Sequence, residues 1–387
     1  MLTLVAAASL AAWIYLVVFH GFFWRADQRL PATVTAEPDP WPDIAAVIPA
    51  RDEAAVIGGA VESLLKQDYP GEVRVVVVDD ASQDGTGYAA EAAAKRVEAA
   101  DRLSVIAAPP LPPGWSGKLW AVSNGVAAAP ANRRYLLLTD ADIVHAPDAL
   151  KRLVAKAETG FDLVSLMVKL HCESFAERLL IPAFVFFFQK LYPFPWVNDR
   201  AISTAGAAGG CMLVRREALE RAGGIAAVKG ALIDDCALAA VLKKKGAIWL
   251  GLADTSASAR RYSAIADVWR MVARTAYTQL HHSPLLVTGT VVGMLLLYAV
   301  PPLSLVLCPF FGAWTAAAMG AAAFALMLYA YRPTWELYRG DDPALVLLPL
   351  AAMLYTAMTV DSALRHARGK GGAWKGRTYG KPRAGAS

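Results

Sequence analysis

The sequence predicts an α/β fold, a doubly wound and mostly parallel sheet, with transmembrane helices at both ends of the chain. Three observations carry that expectation. Short apolar runs alternate with stretches of helical periodicity between residues 44 and 138, the pattern of parallel strands and their crossover helices. An apolar fraction of 56% and a mean hydropathy of +0.37 exceed what a purely soluble domain carries. Charge is absent from residues 2–24 and scarce in the hydrophobic segments after Pro284.

Residues 2–24 contain no Asp, Glu, Lys or Arg. As one helix they would extend roughly 34 Å, enough to cross a hydrocarbon core of about 30 Å. A cleaved signal peptide is the competing reading, but no basic residue precedes the run and its length exceeds a usual signal core. Arg25 and Arg29 follow at once, which places the next segment on the cytoplasmic side by the positive-inside tendency. The expected layout begins with an anchor at 1–24 and a linker at 25–43, whose four prolines fall between 31 and 42.

From residue 44 strands and helices alternate. Strands are expected at 44–49, 73–80, 103–108 and 135–138, and helices at 54–67, 85–99 and 118–128. Beyond these the pattern is less regular, with a glycine-bounded strand and short helix at 209–224. Residues 179–188, LLIPAFVFFF, are strongly apolar but too short to cross a bilayer. Residues 263–280 place Ile265, Val268, Trp269, Val272, Ala276 and Leu280 on one helical face, away from Arg270 and Arg274. The first is read as a buried or interfacial helix; both segments are taken to carry apolar surface toward the bilayer, with Phe186 and Phe187 exposed, and packing of both into the domain core is the alternative. The catalytic region is expected at 44–284 and a membrane region at 285–363, with spans at 285–308, 310–331 and a shorter one at 344–360. A basic tail follows at 364–387, where Arg365, Arg368, Lys370, Lys375, Arg377, Lys381 and Arg383 meet no acid. Such a tail lies against anionic lipid headgroups more often than against nucleic acid, so no nucleic-acid partner is expected. Three spans after a cytoplasmic domain would carry this tail outside, against the same tendency. Either the last segment lies in the interface, or one of the preceding pair is re-entrant, or the tail departs from the rule. The four cysteines, Cys172, Cys211, Cys236 and Cys308, have no paired spacing, so neither a disulfide framework nor a zinc site is suggested.

The chemistry-bearing residues sit where strands end. The run YLLLTDAD stops at Asp140 and Asp142, two carboxylates one residue apart at the carboxyl end of a strand, able to hold a hard divalent cation. PARDE ends the first strand and Asp79 and Asp80 end the second, so three acidic strand ends are expected to share one crevice. A helix-capping role for Asp80 competes with ligand binding. In GWSGKLWAVSNG, Lys118 lies in the first turn of a helix, where its charge opposes the helix dipole and an anionic partner is implied; an ordinary exposed lysine is the alternative. Gly209 and Gly210, before Cys211, would let backbone approach a ligand closely or would serve a turn. Asp234 and Asp235 open a helix, as N-terminal acids or with one of them a catalytic base.

Taken in order, PARDE, VVVVDDASQDGT, GWSGKLWAVSNG, LLLTDAD, AGGCMLVRREALERAGG and DDCALA resemble the membrane-bound family-2 glycosyltransferases over residues 44–280. With one amino-terminal span, carboxyl-terminal spans and the ending GGAWKGRTYGK, the layout looks most like the hopanoid-biosynthesis-associated glycosyltransferases; ceramide glucosyltransferases are more distant. The resemblance implies a GT-A-like fold of the nucleotide-diphospho-sugar transferase type. It implies that Ala50, Glu53 and Asp80 contact the nucleoside and that Lys118 lies near the sugar nucleotide. Asp140 and Asp142 would hold Mg2+ or Mn2+ and the diphosphate, Asp235 would be the base, and Gly209, Gly210 and Cys211 would border the acceptor. Asp234 replaces the family's usual glutamate. The Gln-x-x-Arg-Trp signature of processive synthases is absent, since Met271, Val272, Ala273, Arg274 and Thr275 stand there.

The expected protein is thus a multi-pass glycosyltransferase of the bacterial inner membrane with its catalytic domain in the cytoplasm. It would move one sugar, with inversion, from a nucleotide diphosphate donor, UDP-linked by expectation, to a membrane lipid such as a hopanoid. Transfer to a polyprenyl phosphate and a non-catalytic nucleotide-sugar-binding scaffold are the alternatives. A transporter is disfavoured because the segments after Pro284 carry almost no polar residues to line a path.

Overall fold

The computed structural model describes residues 1–35, 37–340, 342–369, 373–374 and 377–378. The chain divides into a sheet unit, Asp27–His171 with Phe194–Arg260, and a helical unit, Met1–Ala26 with Cys172–Pro193 and the described part of Arg261–Ser387.

The sheet unit has the GT-A-like architecture, a curled and mostly parallel sheet. Its strands are β1 (Ile44–Ala50), β2 (Val73–Asp79), β3 (Leu103–Ala107), β4 (Tyr135–Thr139), β5 (Ile143–His145), β6 (Leu163–Lys169), β7 (Cys211–Arg215) and β8 (Ile248–Ser258). They run in the order β3-β2-β1-β4-β7-β6-β8-β5. β1 lies between β2 and β4, parallel to both, with Ile44 opposite Val73 on one side and Tyr135 on the other. Every residue of β1 and of β4 is buried, as expected of apolar runs covered on both faces. β7 enters antiparallel between β4 and β6, and β5 pairs antiparallel with β8.

β5, β6 and β8 lie outside the expected strands. β5 is three residues long and exists only through its pairing with Ser256–Ser258, and the second half of β8, ADTSAS, is built of small and polar residues. Tertiary pairing rather than local pattern makes both of them strands. The stretch expected as a linker also has structure. Leu252 N donates to Gln28 O at 2.8 Å, Leu30 is buried, and Trp41 packs edge-on against Tyr69 with centroids 5.3 Å apart. Leu30 is thus buried and Trp41 half-buried within the stretch.

Among the described residues the helical unit contains three helices long and apolar enough to cross a membrane, Pro284–Phe311, Trp314–Arg339 and Pro343–Ala367. At the amino end the structure corrects the expectation of one helix over residues 2–24. The helix is Leu2–Val18, and the chain turns beyond it through Gly21, Phe22 and Ala26, which have φ of 62°, 46° and 51°. The helix Phe175–Leu191 is closed at its start by a capping box, Ser174 Oγ accepting from Glu177 N while the Glu177 carboxylate accepts from Ser174 N. The expectation that Phe186 and Phe187 face lipid is overturned. Phe186 is fully buried against Tyr331 and Phe23, at 5.2 and 5.4 Å between centroids, and Phe187 packs edge-on to Tyr298 and Tyr355 at 5.5 and 5.2 Å. Large rings on a short apolar helix are here the unit's own core. The amphipathic helix spans Ile265–Gln279, with Val268 buried, Arg270 and Arg274 exposed, and Trp269 Nε1 donating to Asp361 Oδ2 at 2.6 Å. Most of the basic tail, including Lys370, Lys375, Lys381 and Arg383, lies outside the described residues.

One contact in the sheet unit fixes how closely the site-bearing helix Gly117–Ala128 approaches the strands. A Cβ on Gly125 would stand 2.4 Å from Val47 Cγ1 and 2.9 Å from Val78 Cγ2. Val47 and Val78 are β-branched, fully buried and unable to swing aside. Gly125→Ala is therefore expected to destabilise the protein by about 1–3 kcal/mol through overpacking, read as a lower Tm in detergent, although alanine is the better helix former. An unchanged or raised Tm would show that the helix can retreat from the sheet.

Candidate active site

The carboxyl ends of β1 and β2 form one laced rim. Ala50 is in register with Asp79, and Asp80 N donates to Ala50 O at 2.8 Å. The loops beyond use short polar side chains to satisfy each other's backbone. Glu53 N donates to Thr86 Oγ1 at 2.9 Å, Ala54 N to Asp84 Oδ2 at 2.9 Å and Gln83 N to Asp52 Oδ1 at 2.9 Å. Asp80 is buried. Arg51 Nη1 donates to its carbonyl at 2.7 Å and lies 3.5 Å from its Oδ2. Ala50 is buried as well, so a ligand at this rim meets its backbone rather than its methyl group.

The ends of β4 and β7 build the second part. Their antiparallel register sets Thr139 opposite Cys211, which brings Gly209 and Gly210 beside Asp140. Thr139 Oγ1 donates to Gly210 O at 2.7 Å and fixes that turn. Lys118 enters from the helix Gly117–Ala128, whose N-cap Ser116 accepts from Leu119 N at 3.3 Å. Its Nζ lies 2.9 Å from Asp140 Oδ1 and 3.3 Å from Asp234 Oδ2. Asp235, the second residue of the helix Asp234–Lys243, accepts from Gly209 N at 2.9 Å through Oδ2 and from Cys236 N at 2.7 Å through Oδ1. Lys118, Asp140, Gly209, Asp234 and Asp235 line one cleft together with Pro49 of β1.

Charge crowding sets the chemistry of this cleft. Burial raises the Asp235 carboxyl, Asp234 beside it adds to the effect, and Lys118 with the two backbone donors opposes it, leaving the group pushed up to about 6. Burial likewise raises Asp140 against the pull of Lys118, with Asp142 and Asp234 adding to the rise. For Lys118 burial works against the charge, but the carboxylates of Asp140 and Asp234 outweigh it and hold the ammonium above the ordinary lysine range. Cys211, by contrast, is fully buried with its thiol pushed up to about 12, so it borders the site through its backbone alone.

Asp142 points into a different set of partners. Its Oδ2 accepts from Ser258 Oγ at 2.6 Å and lies 3.4 Å from Arg260 Nε, while Arg260 Nη2 lies 2.7 Å from Glu53 Oε1. Pairing of Ile143 with Ser258 puts these residues side by side. Neither Ser258 nor Arg260 was expected, because β8 carries no apolar alternation at its end; the basic pair Arg260 and Arg261 closing a strand beside an acidic one is the signal that could have found them.

Among the described residues no three His, Cys, Asp or Glu side chains form a metal cluster. A site for Mg2+ or Mn2+ here would take its protein oxygens from Asp140 and Asp142 alone. That donor set fits, since such ions bind through one or two hard carboxylates and complete their shell with phosphate oxygens and water. Two further contacts steady the frame. Ser116 N donates to Lys229 O at 2.8 Å, and Lys243 Nζ donates to the carbonyls of Val197, Asp199 and Trp196 at 2.6, 2.9 and 3.2 Å.

Residues 45–223 match the family described as Glycosyl transferase family 2. An N-acetylglucosaminyltransferase of Rhizobium leguminosarum bv. viciae is 27% identical over 158 residues. That alignment covers 40% of this chain and 35% of that protein, so the chain spans about a third of the length of this curated relative. A mannosyltransferase from Pyrobaculum calidifontis, solved in complex with GDP-Man and Mn2+, superposes with a TM-score of 0.55 at 21% identity, covering 96% of this chain and all of that one. It shares the fold.

Lys118→Met would leave Asp140 and Asp234 facing each other and Asp235 without their common counter-charge. Because the cleft is partly open to water, the expected loss is about 1–3 kcal/mol rather than the larger cost of a fully buried pair, with Lys118→Arg recovering part of it. Thermal unfolding of nucleotide-free protein checks this, and a methionine variant as stable as wild type would refute the role of Lys118 as counter-ion.

Proposed function

We propose that this chain is an inverting, metal-assisted glycosyltransferase that moves a single sugar from a nucleotide diphosphate donor to the hydroxyl of a membrane lipid. The observation that carries the reading is Asp235. It is a half-buried carboxylate pinned by two backbone N–H groups, with its protonation point raised to about 6, within a family-2 domain. A carboxylate held in place and made a better proton acceptor than usual is what activation of a neutral hydroxyl needs. An acceptor that is already an ionised phosphate needs no such base, so the same observation favours a hydroxyl over a polyprenyl phosphate.

In this mechanism Asp235 takes the proton of the acceptor hydroxyl as its oxygen attacks the anomeric carbon from the face opposite the diphosphate. The bond from the anomeric carbon to the diphosphate oxygen breaks, and the nucleoside diphosphate leaves with the electron pair. Ala50, Glu53, Asp80 and their laced loops hold the nucleoside, and Lys118 lies against the donor. Asp140 and Asp142 would hold Mg2+ or Mn2+, which when bound supplies Lewis-acid stabilisation of the charge on the leaving group. Gly209 and Gly210 leave room for the acceptor beside the base. The three spanning-length helices among the described residues support a membrane location and, with it, a lipid acceptor; the bacterial inner membrane, with the catalytic domain in the cytoplasm, is the placement the arginines after the first helix suggest. A hopanoid is the lipid class that the overall layout suggests, and UDP the carrier expected of the donor.

Turnover is expected to fall about tenfold per pH unit below pH 6, as protonation removes the base, and to be level above it. Asp235→Asn should lower kcat by roughly 10²- to 10⁴-fold and abolish that acid limb, with donor affinity within about threefold of wild type. Asp234→Asn should do less; the reverse order would make Asp234 the base. Chelation should stop transfer, and Mn2+ or Mg2+ should restore wild type but not Asp142→Ala. A panel of labelled sugar nucleotides with a bacterial lipid extract, read by mass spectrometry, tests the acceptor. A soluble sugar glycosylated as well as any lipid would end the lipid proposal.

A further inference from the structure

Arg260 sits where the proposed reaction needs a cation that can change partners. Its Nη2 lies 2.7 Å from Glu53 Oε1 and its Nε 3.4 Å from Asp142 Oδ2. Its position is set by short connections. Arg260 N donates to Ser258 Oγ at 3.2 Å, that hydroxyl donates to Asp142 Oδ2 at 2.6 Å, and Ala259 N donates to Asp142 O at 2.8 Å. The guanidinium thus spans two carboxylates that reach it from different strand ends, Glu53 after β1 and Asp142 after β4. Both are nearly buried, their side chains 12% and 10% exposed, while Arg260 keeps 37% of its own in solvent. The acids are held and the cation has room to move.

We propose that Arg260 is an internal stand-in for the divalent ion. It neutralises Asp142 and Glu53 while the ion is away, yields Asp142 when the ion arrives, and then serves the diphosphate of the donor as a charge-assisted hydrogen-bond donor. This inference rests on the metal-assisted transfer proposed above. The physical argument is mutual exclusion. A guanidinium and a divalent cation sharing one carboxylate repel each other, so removing the guanidinium makes the carboxylate more available to metal. A guanidinium released beside a metal-bound diphosphate matches its paired oxygens geometrically, which an ammonium does less well. Among the described residues Glu53 remains as its anchor throughout, so the exchange needs only a swing of the side chain about a fixed backbone.

Two binding measurements of opposite sign test this on the full chain in detergent. Mn2+ titrations followed by electron paramagnetic resonance, without nucleotide, should show Arg260→Gln binding Mn2+ roughly two- to fivefold more tightly than wild type, the range expected for loss of a half-exposed competing pair. Arg260→Lys, which keeps the charge, should stay near wild type, and Asp142→Asn should lose the ion. With saturating Mn2+, UDP or GDP should bind Arg260→Gln about tenfold more weakly, a charge-assisted hydrogen bond being lost. A merely structural arginine would weaken both kinds of binding, and that result overturns the proposal. So does unchanged Mn2+ affinity in Arg260→Gln, or unchanged nucleotide affinity. Wild-type protein that binds no Mn2+ even with nucleotide overturns the metal-assisted reading and this inference together, and so is told apart from failure of Arg260 alone.

Discussion

The ammonium of Lys118, held between Asp140 and Asp234, is the contact on which the cleft depends. A parallel sheet gathers its strand ends at one edge, and here those ends and the helix Asp234–Lys243 deliver four aspartates into a small region. Without a cation among them their repulsion would force either protonation or separation. Lys118 offsets part of that repulsion and leaves Asp235, which it does not touch directly, with an incompletely compensated charge. Burial, with Asp234 beside it, therefore raises the protonation point of Asp235, and Lys118 offsets that rise only in part. Arg260 does for Asp142 and Glu53 what Lys118 does for Asp140 and Asp234, so the acids fall into two compensated groups rather than one open cluster.

Much of this was legible in the sequence, for a physical reason. β1, β2 and β4 are short apolar runs buried along all or most of their length, so their composition alone marks them, and acids placed immediately after such runs can only emerge at the sheet's carboxyl edge. Asp80, Asp140 and Asp142 were found that way, and Gly209 and Asp235 through the order of motifs. What escaped notice depends on partners distant in sequence. β5 is a strand because β8 lies beside it, and Arg260 stands beside Asp142 because Ile143 pairs with Ser258. No periodicity announces a three-residue strand, and a basic residue after a run of small ones reads as surface until its neighbours are known.

The helical unit misled for a related reason. Apolar aromatic residues on a helix too short to span a bilayer can face lipid or face protein, and composition does not distinguish the two. Phe186 and Phe187 meet Tyr298, Tyr331 and Tyr355, whose hydroxyls and rings come from segments more than a hundred residues later. Pairs of this edge-on kind add roughly 0.5–1.5 kcal/mol beyond simple burial. The first helix was overextended because apolar composition continues past Val18, whereas the backbone turns where Gly21 and Phe22 take left-handed geometry.

The clasp of Lys243 on the carbonyls of Trp196, Val197 and Asp199 has a consequence for how such a cleft can diversify. Asp199 is tied to the helix that carries Asp235, and Ala208 is tied to β6 through Ser165 Oγ, which accepts from Ala208 N at 2.9 Å. The eight residues between them, 200–207, are bracketed at both ends by contacts that do not depend on their own side chains. The exposed positions of such a stretch can therefore vary in sequence while the strand behind it and the helix beside it keep their places.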